Sequence, residues 1–388
     1  MRKSNSFSKN DVALCRFLAF SLEIYDDFHG FHYFRSRFHF IVFGRSPMVT
    51  IHDVADAAGV SISTVSRVMN QSPSVSKKTQ KRVLEVIRKL GYVPNAAASK
   101  AAHKHNKYIG VLFPDISNQV FGRILQGINS VLAPLGYNII ICETNGELDK
   151  EIHFLNILKE KQVEGYIMAS VTIPQDHLMW IHKNRRPLVY VCQDLPKFDL
   201  KVPASSVNMD NKQAICDMVH FLYHMGHRDI AFIGGPLSDP SAGKCRYDGY
   251  MKGMKECRLQ IRQDIISFQE AFGIHDGYQG MHEVYEHAML LPTAVLCACD
   301  NMAVGAIDFM YDNSIQIPRQ VSVTGVDDSS LAACIRPSLT TIRHATNDSG
   351  VKAAQLLLEY IANPDFAGTA FKTPYQLLRR QSVRQLID

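Results

Sequence analysis

From Tyr108 onward, short apolar runs recur along the chain: YIGVLF, NIIIC, GYIMAS, LVYVC, DIAFIGG, AVLCAC and VSVTGVD. The segments between them keep a helical period, as in Phe121, Ile124, Leu125, Ile128 and Leu132. No other feature restricts the fold so tightly. Strands alternating with helices build a parallel, doubly wound sheet, and this stretch is long enough for two such lobes. In sheets of this kind ligands bind beyond the carboxyl ends of the strands. The residues that follow each run are therefore the candidates for a site.

Residues 48–107 obey a different pattern. Thr50 and Asp53 have the spacing of a capping box, and Ile51, Val54, Ala55 and Ala58 recur at the period of an amphipathic helix. Gly59 suits a left-handed turn, and Ser61 can cap a second helix in which Val65, Val68 and Met69 face inward. Ile62, Ser63, Thr64, Ser66 and Arg67 are left toward solvent. After the turn at Pro73, Val83, Val86, Ile87 and Leu90 mark a third helix ended by Gly91. Two short helices joined at a glycine turn, with a third to bury them, form a helix-turn-helix. Short hydroxyls are poor helix formers, but they let a helix sit deep in a DNA groove and bond phosphates, while one long Arg reaches a guanine edge.

Charge agrees. Residues 48–107 hold ten Lys and Arg against three acids, whereas residues 108–388 hold 25 against 30. A basic head on a mildly acidic body is the footprint of nucleic-acid binding.

The stretch TIHDVADAAGVSISTVSRVMNQSPSVSKKTQKRVLEVIRKLGYVPNAAA resembles the DNA-binding headpiece of the lactose-repressor/galactose-repressor (LacI/GalR) family, and the resemblance continues to the C-terminus. It implies that Ile62, Ser63 and Arg67 read bases, while Ser61, Thr64, Ser66, Asn70, Ser76 and Thr79 hold phosphates. YVPNAAASKAA resembles the family's hinge, which places Pro94, Asn95, Ala98 and Ala101 against the minor groove. Family members carry a leucine wedge where this chain has Ala101, so weaker bending of the operator is expected.

In the body, PDISNQVF follows the first strand and places Asp115, Asn118 and Phe121 at its end. The resemblance extends to the family's effector-binding body, itself like periplasmic binding proteins. It implies that Arg246, in the R-x-x-G step ending at Gly249, and Asp327 bind ligand hydroxyls, and that Phe272 stacks on the ligand. Where relatives commonly carry pocket Asp or Asn, this chain has Cys192, Cys299 and Ala169, which implies a less hydroxylated effector or a pocket that no longer senses a sugar. Asp327 and Asp328 are strand-end neighbours pointing opposite ways. His227 precedes a strand and is read as structural.

Nine cysteines at irregular spacings argue against a disulfide framework and for a reducing cytoplasm. Cys297 and Cys299 are read as strand residues, without metal or redox partners. No nucleophile, base and orienting acid assemble, and no glycine-rich phosphate loop precedes a helix, so neither an enzyme nor a cofactor is expected. Residues 1–47 carry 11 of the 36 aromatics, hold no period and contain no membrane span. They are read as an upstream extension outside the fold, with a membrane-surface anchor as the alternative.

The expected organisation is an all-α helix-turn-helix head (48–93), a hinge (94–107) and an α/β two-lobed periplasmic-binding-protein-like body (108–388). The lobes are placed at 108–205 plus 336–364 and at 206–335 plus 365–388. The tail shows no leucine heptads, so no tetramerising element is expected. The implied function is a cytoplasmic homodimeric regulator, a repressor, binding double-stranded operator DNA under control of a sugar-like effector. The alternatives are control by a protein corepressor, or a transporter's solute-binding protein.

Overall fold

A computed structural model of the chain describes residues 49–69, 72–92, 107–170, 175–195, 204–363, 365–366 and 368–386. The described residues divide into two units, a head before residue 102 and a body after it. Asn70, Pro94, Asn95, Ala98 and Ala101, with the extension ahead of the head, lie outside the described residues.

The head is built, among the described residues, from α1 (Ile51–Ala58), α2 (Ile62–Met69) and α3 (Lys77–Leu90). Thr50 and Asp53 form the capping box, the Thr50 N–H donating to the Asp53 carboxylate at 2.7 Å. The hydrogen bonds from Thr50 lower the Asp53 pKa. Gly59 closes α1 at φ 60°, and Gly91 closes α3 at φ 62°, a backbone region that costs glycine little. Ser61 starts α2 by accepting from the Thr64 N–H at 3.3 Å. Val54, Ala55, Ala58, Val65, Val68 and Val83 form the core between the three helices.

The body unites two sheets, each six-stranded among the described residues. The first uses β1 (Tyr108–Phe113), β2 (Asn138–Glu143), β3 (Gly165–Met168), β4 (Leu188–Val191), β5 (Ala204–Met209) and a late strand, β11 (Ala370–Thr373), in the order β11-β5-β4-β3-β1-β2. The second uses β6 (Ile230–Gly234), β7 (Ile266–Phe268), β8 (Ala294–Cys297), β9 (Ser322–Val326), β10 (Thr340–His344) and β12 (Tyr375–Leu378), in the order β12-β10-β9-β8-β6-β7. All pairings are parallel except β10 with β12.

Helices cover the sheets. In the first lobe α4 (Gln119–Leu132) and α12 (Thr346–Ala362) bury Ile124, Ile128 and Leu357 on one face. On the other, α5 (Leu148–Glu160) and α6 (Gln175–Asn184) bury Leu155, Leu158 and Trp180. The second lobe is covered by α7 (Asn211–His224), α8 (Arg246–Glu256), α9 (Ile274–His287) and α10 (Asp300–Asp312), with the short α11 (Ser330–Cys334) after β9.

Strand pairing moves the expected lobe boundaries. β5 pairs with β4, so the first lobe runs on through Met209 rather than stopping at 205. β10 pairs with β9, so Thr340–His344 belongs to the second lobe, although 336–364 was expected in the first. β11 pairs with β5 and returns to the first lobe. Sequence periodicity identifies a strand but not its neighbour, and these misplacements follow from that. Cys299 is also corrected: β8 stops at Cys297, and Cys299 is the residue before α10. His227 is fully buried and holds Thr293 Oγ1 at 3.0 Å and the Arg384 carbonyl at 3.2 Å, a structural tie to the C-terminal segment. Burial lowers its pKa to about 4.

Candidate functional site

The carboxyl ends of both sheets face a cleft of about 460 Å³ within the body. Arg246 enters it from the first turn of α8, just after a π-helical turn at Pro240–Cys245. Asp239 caps that turn, its Oδ1 accepting from the Ser241 and Ala242 N–H groups at 2.8 and 2.9 Å. Arg246 is 7% exposed and is held on two sides: Nε donates to Asn211 Oδ1 at 2.8 Å and Nη1 to the Ala298 carbonyl at 2.6 Å. Its Nη2 lies 3.7 Å from Asp327 Oδ1. A guanidinium fixed this way presents its remaining donors in one direction, which is how an arginine orients a polar ligand.

Asp327 follows β9 with φ 115°, and Asp328 after it has φ 50°. Two successive non-glycine residues at positive φ are strained, and strain of this kind clusters at binding sites. The twist sends the two carboxylates apart. Asp327 lines the cleft and lies 3.2 Å from His344 Nε2. Asp328 turns away and pairs with Arg343 at 2.6 Å and with Arg380. They share no proton.

The other sequence-derived candidates meet in the same cleft. Asp115, Asn118, Phe121, Cys192, Phe272 and Cys299 all line it. Asn118 also caps α4 by accepting from the Val120 N–H at 3.0 Å, and Asp115 accepts from Ser117, so both have local duties. Phe121 stacks on Phe113 with ring centroids 5.0 Å apart. Cys299 Sγ donates to the Phe272 carbonyl at 3.3 Å. Burial, then the charge of Asp327, pushes the thiols of Cys192 and Cys299 up to about 12, so at neutral pH both are protonated.

Sequence reasoning missed most of the amides. Asn145, Gln193, Asn208, Asn211 and Asn301 also line the cleft. Asn208 and Asn211 both donate to Ser241 Oγ, at 2.8 and 3.2 Å. The expectation of a sparsely polar pocket is therefore corrected: beside Cys192, Cys299 and Ala169, polar groups at the end of β5 and the start of α7 line the cleft. The signal was present in NMDN, but it lay after a run too polar to read as a strand.

Next to the cleft, Asp300 is almost fully buried. Burial, reinforced by Asp327, raises its pKa to about 7, against hydrogen bonds from Thr341 Oγ1 at 2.5 Å and the Ser329 N–H at 2.7 Å. In the first lobe Ser170 donates to Glu151 at 2.7 Å while His177 Nε2 lies 2.9 Å from the same carboxylate. Hydroxyl and imidazole both address the acid, so this is not a nucleophile and its base.

In the head, Ile62, Ser63 and Arg67 of α2 are exposed, Thr64 and Ser66 half-buried. Ser61 Oγ sits 2.9 Å from both the Ser63 and the Thr64 hydroxyls. Ser76 Oγ accepts from the Thr79 N–H at 3.3 Å and so caps α3 besides facing solvent.

A helix-turn-helix head on a two-lobed α/β body with a polar inter-lobe cleft defines a class of ligand-responsive DNA-binding proteins. Residues 50–95 match the model of bacterial regulatory proteins of the lacI family, and residues 219–383 match a periplasmic binding protein-like domain. Catabolite control protein A of Priestia megaterium is 33% identical over 87% of this chain and 99% of its own length. The HTH-type transcriptional regulator RegA of Clostridium saccharobutylicum is 35% identical over 86% and 99%. Among solved structures, the lac repressor dimer bound to operator and the anti-inducer ONPF superposes with a TM-score of 0.74 at 27% identity, covering 87% of this chain and all of that one. The chain belongs to the lacI family. It is a DNA-binding transcriptional regulator and not an enzyme. Among the described residues, no helix is long and apolar enough to cross a membrane.

Proposed function

We propose that the chain acts in the cytoplasm as a homodimeric repressor whose operator affinity responds to an uncharged, polyhydroxylated small molecule of the sugar type. The observation that carries this reading is the cleft, where Arg246, fixed by Asn211 and Ala298, faces Asp327 among six side-chain amides. Amides, a guanidinium and a carboxylate offer alternating donors and acceptors, which suits vicinal hydroxyls, and the rings of Phe121 and Phe272 supply apolar faces. Asp115, Asp239, Glu270, Asp276 and Asp327 outnumber Arg246, which disfavours phosphorylated or carboxylated ligands. In the head, Ile62, Ser63 and Arg67 read base edges, and Ser61, Thr64, Ser66, Asn70, Ser76 and Thr79 hold phosphates. The lac repressor structure, a dimer on its operator with a small ligand, supports the same division of labour.

An effector acts through its differential affinity for the lobe arrangements that do and do not bind DNA. Calorimetry against neutral sugars, sugar phosphates and purines tests the class, and a neutral sugar is expected to bind. Arg246→Ala and Asp327→Ala should abolish the effector response while leaving effector-free operator affinity nearly intact. Undiminished ligand binding by both variants would remove these residues from the site.

A further inference from the structure

On the outer side of the second lobe, Cys216 and His220 stand one turn apart on α7, and Glu256 closes α8 beside them. Their ligand atoms all lie within 4.8 Å of one another. Glu256 Oε2 is the common centre, 3.3 Å from Cys216 Sγ and 3.1 Å from His220 Nε2. Its second oxygen is 3.8 Å from Lys252 Nζ, which leaves Oε2 for the cluster. We propose that Cys216, His220 and Glu256 form a Zn²⁺ site that clamps α7 to the end of α8.

The chemistry and the spacing both point there. One thiolate, one imidazole and one carboxylate form a borderline-soft donor set that suits zinc, and hard cations such as Mg²⁺ or Ca²⁺ avoid sulfur. With Zn–S near 2.3 Å and Zn–N or Zn–O near 2.0–2.1 Å, tetrahedral ligand atoms stand about 3.3–3.6 Å apart. The distances to Glu256 Oε2 are close to this without rearrangement of either helix. Cys216 is buried, while the side chains of His220 and Glu256 are 35% and 45% exposed, so the ion enters from solvent and water completes the fourth position. In the metal-free protein, burial and the hydrogen bond to Glu256 push the Cys216 thiol up to about 12; Zn²⁺ displaces that proton and takes its place against the carboxylate. The clamped helices begin at Asn211 and Arg246, the hydrogen-bonded pair at the cleft. A metal here would stiffen the support of that pair. Cys-x₃-His on one helical face was legible in the sequence, but the third ligand lies 36 residues further on, and only the α7–α8 packing brings it in.

The test is Co²⁺ substitution and Zn²⁺ competition against a chromophoric chelator, on the full chain. Wild type should take up one ion per chain, with the intense visible bands of tetrahedral cobalt and a thiolate-to-cobalt charge-transfer band. Cys216→Ala should lose the charge-transfer band, His220→Gln and Glu256→Gln should each weaken Zn²⁺ binding at least tenfold, and Cys334→Ser, which removes an exposed cysteine elsewhere, should change nothing. Should Cys216→Ala fail to fold, the two part-exposed positions carry the test by themselves. A thiolate band that survives Cys216→Ala, or Zn²⁺ affinity unchanged in both His220→Gln and Glu256→Gln, overturns the proposal.

Discussion

Arg67 sits between two residues that fix its direction. Val65 and Val68 are locked in the head's core, so the exposed side chain between them can only project outward from α2. A bidentate contact to a guanine is sequence-specific, whereas a hydroxyl on a phosphate is not. Arg67→Ala should therefore cost about 1–3 kcal/mol on the cognate operator and relax its specificity at one base pair, while Ser66→Ala weakens all sequences alike. Gel shifts on operator and random DNA separate the two, and an equal loss on both for Arg67→Ala would refute the base contact. Asp300 makes a prediction of another kind. Its folded pKa is raised to about 7, chiefly by burial, while an unfolded aspartate ionises at about 4. Between those values the unfolded chain releases a proton that the folded chain keeps. The stabilising contribution is thus complete below about pH 4 and is lost as pH rises toward 7. Asp300→Asn cannot ionise, so its melting temperature should vary less than that of wild type between pH 5 and 7. Parallel curves would mean that Asp300 is already charged in the folded protein.

Elements pack closely at particular glycines. A Cβ on Gly127 of α4 would lie 2.0 Å from the Asn347 carbonyl of α12, and one on Gly305 of α10 would lie 1.8 Å from the Ile274 carbonyl of α9. Each lobe thus has a helix pair that touches through backbone. Gly305→Ala gains about 1 kcal/mol of helix propensity, but α9 and α10 must separate, at a cost of about 1–3 kcal/mol or more. A Cβ on Gly122 of α4 meets nothing within 4 Å, so Gly122→Ala should be neutral or stabilising. Thermal melting compares them directly, and a Gly305→Ala protein as stable as Gly122→Ala would contradict the packing. The helices themselves were legible in sequence because a caps-and-period signal is local: the capping box at Thr50, the left-handed Gly59 and the Val65 and Val68 stripe needed no tertiary information. Of the eight cleft residues named, Asp115, Asn118 and Phe121 follow from a strand end visible in an apolar run, whereas Cys192, Arg246, Phe272, Cys299 and Asp327 rested on the family resemblance. What escaped was non-local. β5, spelled ASSVNM, is wholly buried yet too polar to read as a strand, and with it went Asn208, Asn211 and the position of the lobe boundary.

At the scale of the whole body, the chain passes between lobes three times among the described residues, after Met209, after His344 and after Thr373. A second link joins the lobes away from these crossovers. Gln119, the first residue of α4, donates through Nε2 to Ser330 Oγ at 3.0 Å and accepts from the Ser330 N–H at 2.6 Å. One turn on, Arg123 Nη1 donates to the Asp328 carbonyl at 3.0 Å. The receiving segment is itself held: Asp328 is paired with Arg343 and Arg380, and the Ser329 N–H donates to Asp300. That same segment carries Asp327 into the cleft. A ligand on Asp327 and the latch to α4 therefore act on one short stretch of backbone, and each should favour the other if both belong to the closed arrangement. Gln119 lies beside the cleft rather than in it, between the cleft residues Asn118 and Val120, and bridges to the segment after Asp327. Two hydrogen bonds at about 0.5–1.5 kcal/mol each make the expected cost of Gln119→Ala about tenfold in effector affinity, with every cleft contact intact. Hydrogen exchange supplies a readout that needs no effector: amides of 119–123 and 328–331 should exchange faster in Gln119→Ala, while those of β1 and β6 stay protected. Unchanged exchange at both segments would show that the contact at Gln119 contributes nothing to the switch.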